Sequence, residues 1–311
     1  MTYSPIEQRT KELYIEQHKA YFRDRSIFDR FYRVAMEPSS YGVGAEFFRG
    51  KTIIDVGCGN TAYFQKAMVD LGAAHITCVD IDDDWMPELT AALDELGVPR
   101  DKYSCVPGTA TALPFPDASF DVVTSNGVWM VLESVELADQ AFREHARVTK
   151  PGGSLYTYFG TSQGIMDRFL LPAWRQAYQE VPEFRAIIDG LTPERMQEYG
   201  ARYLQTLAAH DPTVDMAAVG SLLSLFTLDT ATFIQNALQP PTALGPQLTE
   251  EWARAHYEAL GFTNVRRVGQ RYWQRNDIRK LVAPLHFDHE HPIGRVIYGS
   301  GHVKMMGEKL A

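Results

Sequence analysis

Apolar positions along the chain follow two different periods. Between Thr52 and Phe159, short runs rich in β-branched residues take turns with stripes at helical spacing. Thr52–Val56 reads as a strand running into Gly57-Cys58-Gly59. A helix follows, with Tyr63, Phe64, Ala67, Met68 and Leu71 on one face and Gly72 as its stop. His75–Val79 is the next strand, and Met86, Leu89, Leu93 and Leu96 mark the next helix, ended by Gly97. Tyr103–Val106 and Phe120–Ser125 read as further strands and Val135–Thr149 as a helix. Ser154–Phe159 is a fifth strand, entered through the Pro151-Gly152-Gly153 turn. Strand–helix alternation of this kind makes an α/β fold, a mostly parallel sheet covered on both faces.

The pattern differs on either side. Residues 1–40 read as aromatic-rich helices, opened by Ser4-Pro5-Ile6-Glu7 and broken by Pro38 and Ser39–Gly44. Residues 162–248 carry Met, Leu and aromatic residues at helical spacing with few β-branched runs. They are too long for a connecting loop, so they form an inserted helical element. Alternation resumes with a helix capped by Thr249 and stopped by Gly261. Asn264–Trp273 has strand character, and Arg295–Tyr298, or residues just beyond, would supply the last strand. The expected division is an N-terminal helical segment (1–44), a sheet-forming domain (45–161 with 249–311) and a helical cap (162–248).

Composition narrows the class. The chain has 311 residues, 45 % hydrophobic and 22 % charged, enough to bury a core without disulfides or metals. With 30 Lys+Arg against 39 Asp+Glu, the net charge of −9 repels polyphosphate and argues against nucleic acid. No apolar stretch is long enough for a membrane span, and the polar start is no secretory signal. Cys58, Cys78 and Cys105 match no zinc or redox spacing. These features suggest a soluble, reduced, cytoplasmic protein.

The candidate chemistry lies in Ile53-Ile54-Asp55-Val56-Gly57-Cys58-Gly59-Asn60. A strand entering Gly-x-Gly at a helix start brings backbone close to a ligand at the carboxyl edge of the sheet. Gly57-x-Gly59-x-x-Ala62 also fits a relaxed dinucleotide fingerprint, and Asp80, at the end of the next strand, suits ribose hydroxyls. Asp55 discriminates between the ligands. A carboxylate there repels a pyrophosphate and suits an ammonium or sulfonium, which points to S-adenosylmethionine over a nicotinamide dinucleotide.

The segments IIDVGCGN (53–60), CVDID (78–82), ALPFPDASFDVVTSNG (112–127), ARVTKPGGSLY (146–156) and YEALGFTNV (257–265) resemble, in order and spacing, the class I S-adenosylmethionine-dependent methyltransferases, specifically the methyltransferase-11-like small-molecule group. The resemblance covers roughly residues 45–160 and 249–300. It implies a Rossmann-like doubly wound sheet, S-adenosylmethionine as cofactor and a small-molecule methyl acceptor. By position, Asp55 and Gly57 would line the methionine-tail pocket with Cys58 and Gly59 beside it. Asp80 would hold the ribose and Ile81 the adenine face. The adenine-binding Asp of many members is replaced in Gly108-Thr109-Ala110, so Thr109 or Ala110 would reach the adenine otherwise. Asn60 replaces a third loop glycine. Asn126 would sit under the sulfonium or at the acceptor mouth.

Methyl transfer is an in-line displacement that chiefly needs alignment, with a base only where the acceptor must lose a proton. The family fixes no catalytic residue. Asn126, Trp129 and Tyr158 are candidates at the carboxyl edge, and His18 is one in the N-terminal helices. Cys58 reads as a small loop filler and His145 as a structural histidine. His286-Phe287-Asp288-His289-Glu290-His291 has donors for Zn or Fe, but it reads as a solvated loop and no metal is assigned. The run Arg266, Arg267, Arg271, Arg275, Arg279, Lys280 with Tyr272 and Trp273 would suit a nucleic-acid or protein substrate, the alternative reading. A methyltransferase-like protein without methylating activity is a further alternative. The insertion, with Phe169, Trp174, Tyr178, Phe184, Tyr199, Tyr203, Phe226 and Phe233, is expected to pack most of these rings in its own core and to line an acceptor pocket or a homodimer contact.

Overall fold

The computed structural model describes residues 22–81, 84–160, 164–211, 213, 215–239, 248–268, 292–299 and 301–311, together with Pro5, residues 8–9 and 11–14. The chain divides into two compact units. One contains Met1–Gln163, Pro241–Arg271 and Gly299–Ala311; the other contains Gly164–Pro240 and Tyr272–Tyr298.

The first unit is built on a seven-stranded sheet. Its strands are β1 (Thr52–Val56), β2 (His75–Asp80), β3 (Tyr103–Pro107), β4 (Phe120–Asn126), β5 (Thr149–Gly160), β6 (Phe262–Arg267) and β7 (His302–Lys309), in the spatial order β3-β2-β1-β4-β5-β7-β6. β1 to β5 pair in parallel, while β7 runs antiparallel to both β5 and β6. The strand order reverses between β1 and β4, and the crevice outside the carboxyl ends at such a reversal is where open α/β sheets bind ligands.

Side-chain alternation sends each strand's residues to two opposite cores. On one face Ile53, Val122, Tyr156 and Met306 pack with α2 (Tyr63–Asp70) and α3 (Met86–Glu95), and Tyr41 joins them through rings 5.2 Å from Tyr156 and 5.3 Å from Phe48. The helix α1 (Arg25–Ala35) contributes Ala35 to the same core. Asp24 starts it by accepting from the Ser26 and Ile27 amides. On the other face Ile54, Val123, Leu155 and Met305 pack with α4 (Val135–Val148) and α10 (Glu250–Ala259).

Of the two places expected for the last strand, the residues just beyond Tyr298 supply it, as His302–Lys309, while Pro292–Tyr298 is the helix α11. One expectation needs correction. The Pro-Gly-Gly turn does not precede β5 but interrupts it: Phe120 opposes Thr149, and the register resumes at Val122 opposite Ser154.

The second unit is helical: a π-helical turn over Met166–Leu170, then α5 (Leu171–Glu180), α6 (Pro182–Asp189), α7 (Pro193–His210), α8 (Met216–Leu223) and α9 (Leu228–Leu238), with α11. Its small core is Tyr178, Ile188 and Leu238, flanked by Phe184 and Ile234. The expectation that most of its aromatics are internal does not hold. Phe169, Trp174, Tyr199 and Tyr203 are exposed; α7 turns Met196 and Leu204 inward and its two tyrosines away. Among the described residues no helix is long and apolar enough to cross a membrane.

Candidate active site

β1 delivers the chain to the carboxyl edge and Gly57 turns it. Gly57 has φ +74°, a left-handed conformation that costs other residues about 1–2 kcal/mol. A Cβ there would lie 2.0 Å from Val128 Cγ2. The loop is clasped to β2. Gly57 N and Cys58 N both donate to Val79 O (2.8 and 3.1 Å), and Gly59 N donates to Asp80 Oδ2 at 2.8 Å. Asp80 also accepts from its neighbour Ile81 N at 2.8 Å. The Gly108 amide donates to Asp80 O at 2.7 Å, bringing Gly108-Thr109-Ala110 beside Asp80; Ala110 is buried, and Thr109 bridges to Ala112.

Asp55 is 3 % exposed. Its Oδ1 accepts from Thr124 Oγ1 at 3.0 Å and its Oδ2 from Gln65 Nε2 at 2.8 Å. Burial raises the acid to about 7; the Thr124 bond opposes this and the Asp80 charge adds to it. Both of these donors are neutral, so a buried carboxyl group sits beside a glycine turn with no cationic side chain bonded to it among the described residues. Gln65 Oε1 and Asn60 Oδ1 are buried acceptors without a hydrogen-bond partner among the described residues. Asn60 spends its amide group on Glu88, 2.6 Å away. This acceptor-rich group of side chains suits the ammonium and sulfonium end of S-adenosylmethionine.

Asn126 ends β4, exposed, with Nδ2 3.4 Å from the Tyr63 hydroxyl. Tyr158 lies opposite it on β5, half-buried, and its hydroxyl is 2.6 Å from His302 Nδ1. Trp129, by contrast, is fully buried in the other core, with ring centroids 5.3 Å from Phe142 and 4.8 Å from His145. No face of it is left for a ligand, so it is a packing residue. His145 is fully buried and donates from Nδ1 to Ala141 O at 2.6 Å; burial lowers its pKa to about 4. Burial pushes the Cys58 thiol up to about 12, which removes it as a nucleophile. His18, the His286–His291 cluster and most of the basic run lie outside the described residues. Among the described residues no group of ligand-type side chains could hold a metal ion.

Sequence reasoning missed Gln65, Thr124 and His302. Gln65 had a signal: a polar residue on an apolar helical stripe, between Phe64 and Ala67, needs a buried partner. His302 had none, being 144 residues from Tyr158.

The methyltransferase-11 family model, described as a methyltransferase domain, matches residues 54–157. Over that third of its length the chain is similar to a methyltransferase domain. Among curated relatives, the demethylmenaquinone methyltransferase of Listeria welshimeri is 30 % identical over 131 residues, covering 42 % of this chain and 51 % of the relative. The ubiquinone/menaquinone biosynthesis C-methyltransferase of an Enterobacter species is 34 % identical over 110 residues, covering 34 % and 41 %. The chain therefore spans about half the length of the curated relatives it matches. Among solved structures, the geranyl diphosphate methyltransferase in complex with SAM is 12 % identical with a TM-score of 0.47, covering 90 % of this chain and 84 % of that one.

Proposed function

We propose that this methyltransferase domain moves the methyl group of S-adenosylmethionine to a small organic acceptor. The observation that carries the reading is Asp55, buried beside a left-handed glycine turn and held by the neutral donors Gln65 and Thr124. When bound, the cofactor supplies a methyl carbon already activated by a positive sulfur. Asp55 holds the cationic tail, with Gly57, Cys58 and Gly59 letting the backbone approach. Asp80, at the end of β2, takes the ribose hydroxyls, Ile81 with Thr109 and Ala110 borders the adenine, and Asn126 marks the acceptor side.

The names of the curated relatives support a small acceptor of the quinone-precursor kind. The basic run gives little support to a nucleic-acid substrate. Of its described members, Arg266 donates to Gly42 O and pairs with Glu308, and Arg267, largely buried, pairs with Glu250 at 2.8 Å. Both guanidinium groups are thus engaged within the chain.

Calorimetry with S-adenosylhomocysteine tests the reading. Micromolar binding that is lost in Asp55→Ala and weakened about tenfold or more in Asp80→Ala is expected, a charge-assisted hydrogen bond contributing about 1.5–3 kcal/mol. No heat from this ligand, with binding of a nicotinamide dinucleotide instead, would overturn it.

A further inference from the structure

β5 and β7 bring a tyrosine, a histidine and a lysine to the same edge as the glycine loop. On β5, Tyr156 and Tyr158 share a face; on β7, His302, Lys304 and Met306 share one. Tyr156 and Met306 pack in the core that holds Ile53 and Val122, so Tyr158, His302 and Lys304 continue the face of Asp55, Thr124 and Asn126. Tyr158 opposes Lys304 in the antiparallel register, and His302 is its diagonal neighbour. The two rings stack, with centroids 5.6 Å apart and planes 15° from parallel, and the hydroxyl lies 2.6 Å from Nδ1. Lys304 Nζ lies 5.4 Å from the Tyr158 ring centroid. Across Asn126 on the same face, Tyr63 and Phe31 form a second stacked pair, 5.1 Å apart.

Resting on the methyltransferase reading, we infer that Tyr158 and His302 form an acid–base pair that takes the proton of a phenolic acceptor hydroxyl, with Lys304 stabilising the oxyanion. Aromatic rings on both sides of Asn126 favour a flat aromatic acceptor. The hydroxyl proton passes to Tyr158 Oη as the tyrosine proton passes to His302 Nδ1. The acceptor oxygen, now bearing the free pair, bonds to the methyl carbon while the carbon–sulfur bond breaks and leaves its electrons on sulfur. The products are an aryl methyl ether and S-adenosylhomocysteine, and the imidazolium returns its proton to water. The base is needed because a neutral phenol is a poor nucleophile and its ionisation is uphill at neutral pH.

The experiment needs no knowledge of the natural acceptor. The probe is 4-nitrophenol, whose phenolate absorbs visibly and whose phenol does not, titrated against the full chain saturated with S-adenosylhomocysteine. Among the described residues, the charged groups beside the pair include Lys304 on β7 and Arg267 on β6, which donates to His302 O at 3.0 Å, and Tyr63 on α2 reaches Asn126 on the same face. The bound probe is expected to ionise at a pH about one unit lower than the free probe, a tenfold gain in phenolate. Tyr158→Phe and His302→Gln are each expected to abolish that gain, and Lys304→Met to reduce it, while calorimetric binding of S-adenosylhomocysteine by every variant shows that the cofactor site is intact. Should Tyr158→Phe or His302→Gln not fold, the Lys304→Met result and the wild-type shift decide alone. A wild-type chain that binds S-adenosylhomocysteine but leaves the probe un-ionised or unbound overturns this inference only. A chain that does not bind S-adenosylhomocysteine overturns the methyltransferase reading itself.

Discussion

Asp55 and His145 are both buried and ionisable, and pH acts on them in opposite senses. The folded Asp55 titrates near 7, the unfolded one near 3.9. Between those values folding takes up a proton, so this group's contribution to stability falls as pH rises from about 4 to 7 and is constant above. His145 titrates near 4 when folded and near 6.5 when unfolded. Its contribution falls as pH drops from about 6.5 to 4, by about 3 kcal/mol in all. The two slopes nearly cancel in the ligand-free chain, so single variants are needed to separate them. In urea unfolding, Asp55→Asn is expected to gain about 3 kcal/mol relative to the parent chain between pH 4 and pH 7; a pH-independent difference would mean that Asp55 is ionised throughout. The same buried acid couples to ligand charge. A cationic ligand favours the ionised form, so S-adenosylmethionine affinity is expected to rise up to about tenfold per pH unit below 7 and to level off above it. Calorimetry at pH 6 and pH 8, in buffers of different ionisation heat, would show both the change in affinity and the proton released.

At the level of strands and helices, the glycine turn and the end of α4 can each be tested. Gly57→Ala combines a left-handed backbone, costing about 1–2 kcal/mol, with a Cβ 2.0 Å from Val128 Cγ2. A lower melting temperature and lost S-adenosylhomocysteine binding are expected. Adding Val128→Ala should recover part of the stability, since it relieves the crowding but not the backbone strain. Lys309 on β7 ties the sheet to α4 by donating to Ala146 O and Thr149 O at 2.6 and 2.9 Å. Lys309→Met is expected to cost about 1 kcal/mol in urea unfolding, because the last carbonyls of the helix lose their cation. Elements such as β1, β2 and α2 were legible in the sequence because their signals are local: a β-branched run, a glycine stop, a 3.6-residue stripe. The sequence leaves the last strand open between Arg295–Tyr298 and the residues just beyond, because an apolar run of that length suits a strand or a helix equally. Its neighbours, not its own pattern, decide between the two.

For the molecule as a whole, the two units differ in what they bury. The sheet unit has two extensive cores, one on each face, whereas the helical unit buries little beyond Tyr178, Ile188 and Leu238. Amide exchange is expected to be slowest in β1, β4 and β5 and far faster in α5 to α9, since sub-global opening follows the burial each segment loses. Equal protection in both units would show that they unfold as one.

The order of strands and helices, the glycine turn, and the carboxylate beside it are written in contiguous residues, so the sequence by itself determined a methyltransferase-like sheet and the place of its glycine turn. The folded chain decided that Trp129 fills a core while Tyr158 meets His302, and that Gln65 reaches Asp55. These pairings depend on which face a side chain takes and which strand comes to lie beside it. That is set by the antiparallel return of β7 and by packing between distant segments, which no local spacing encodes.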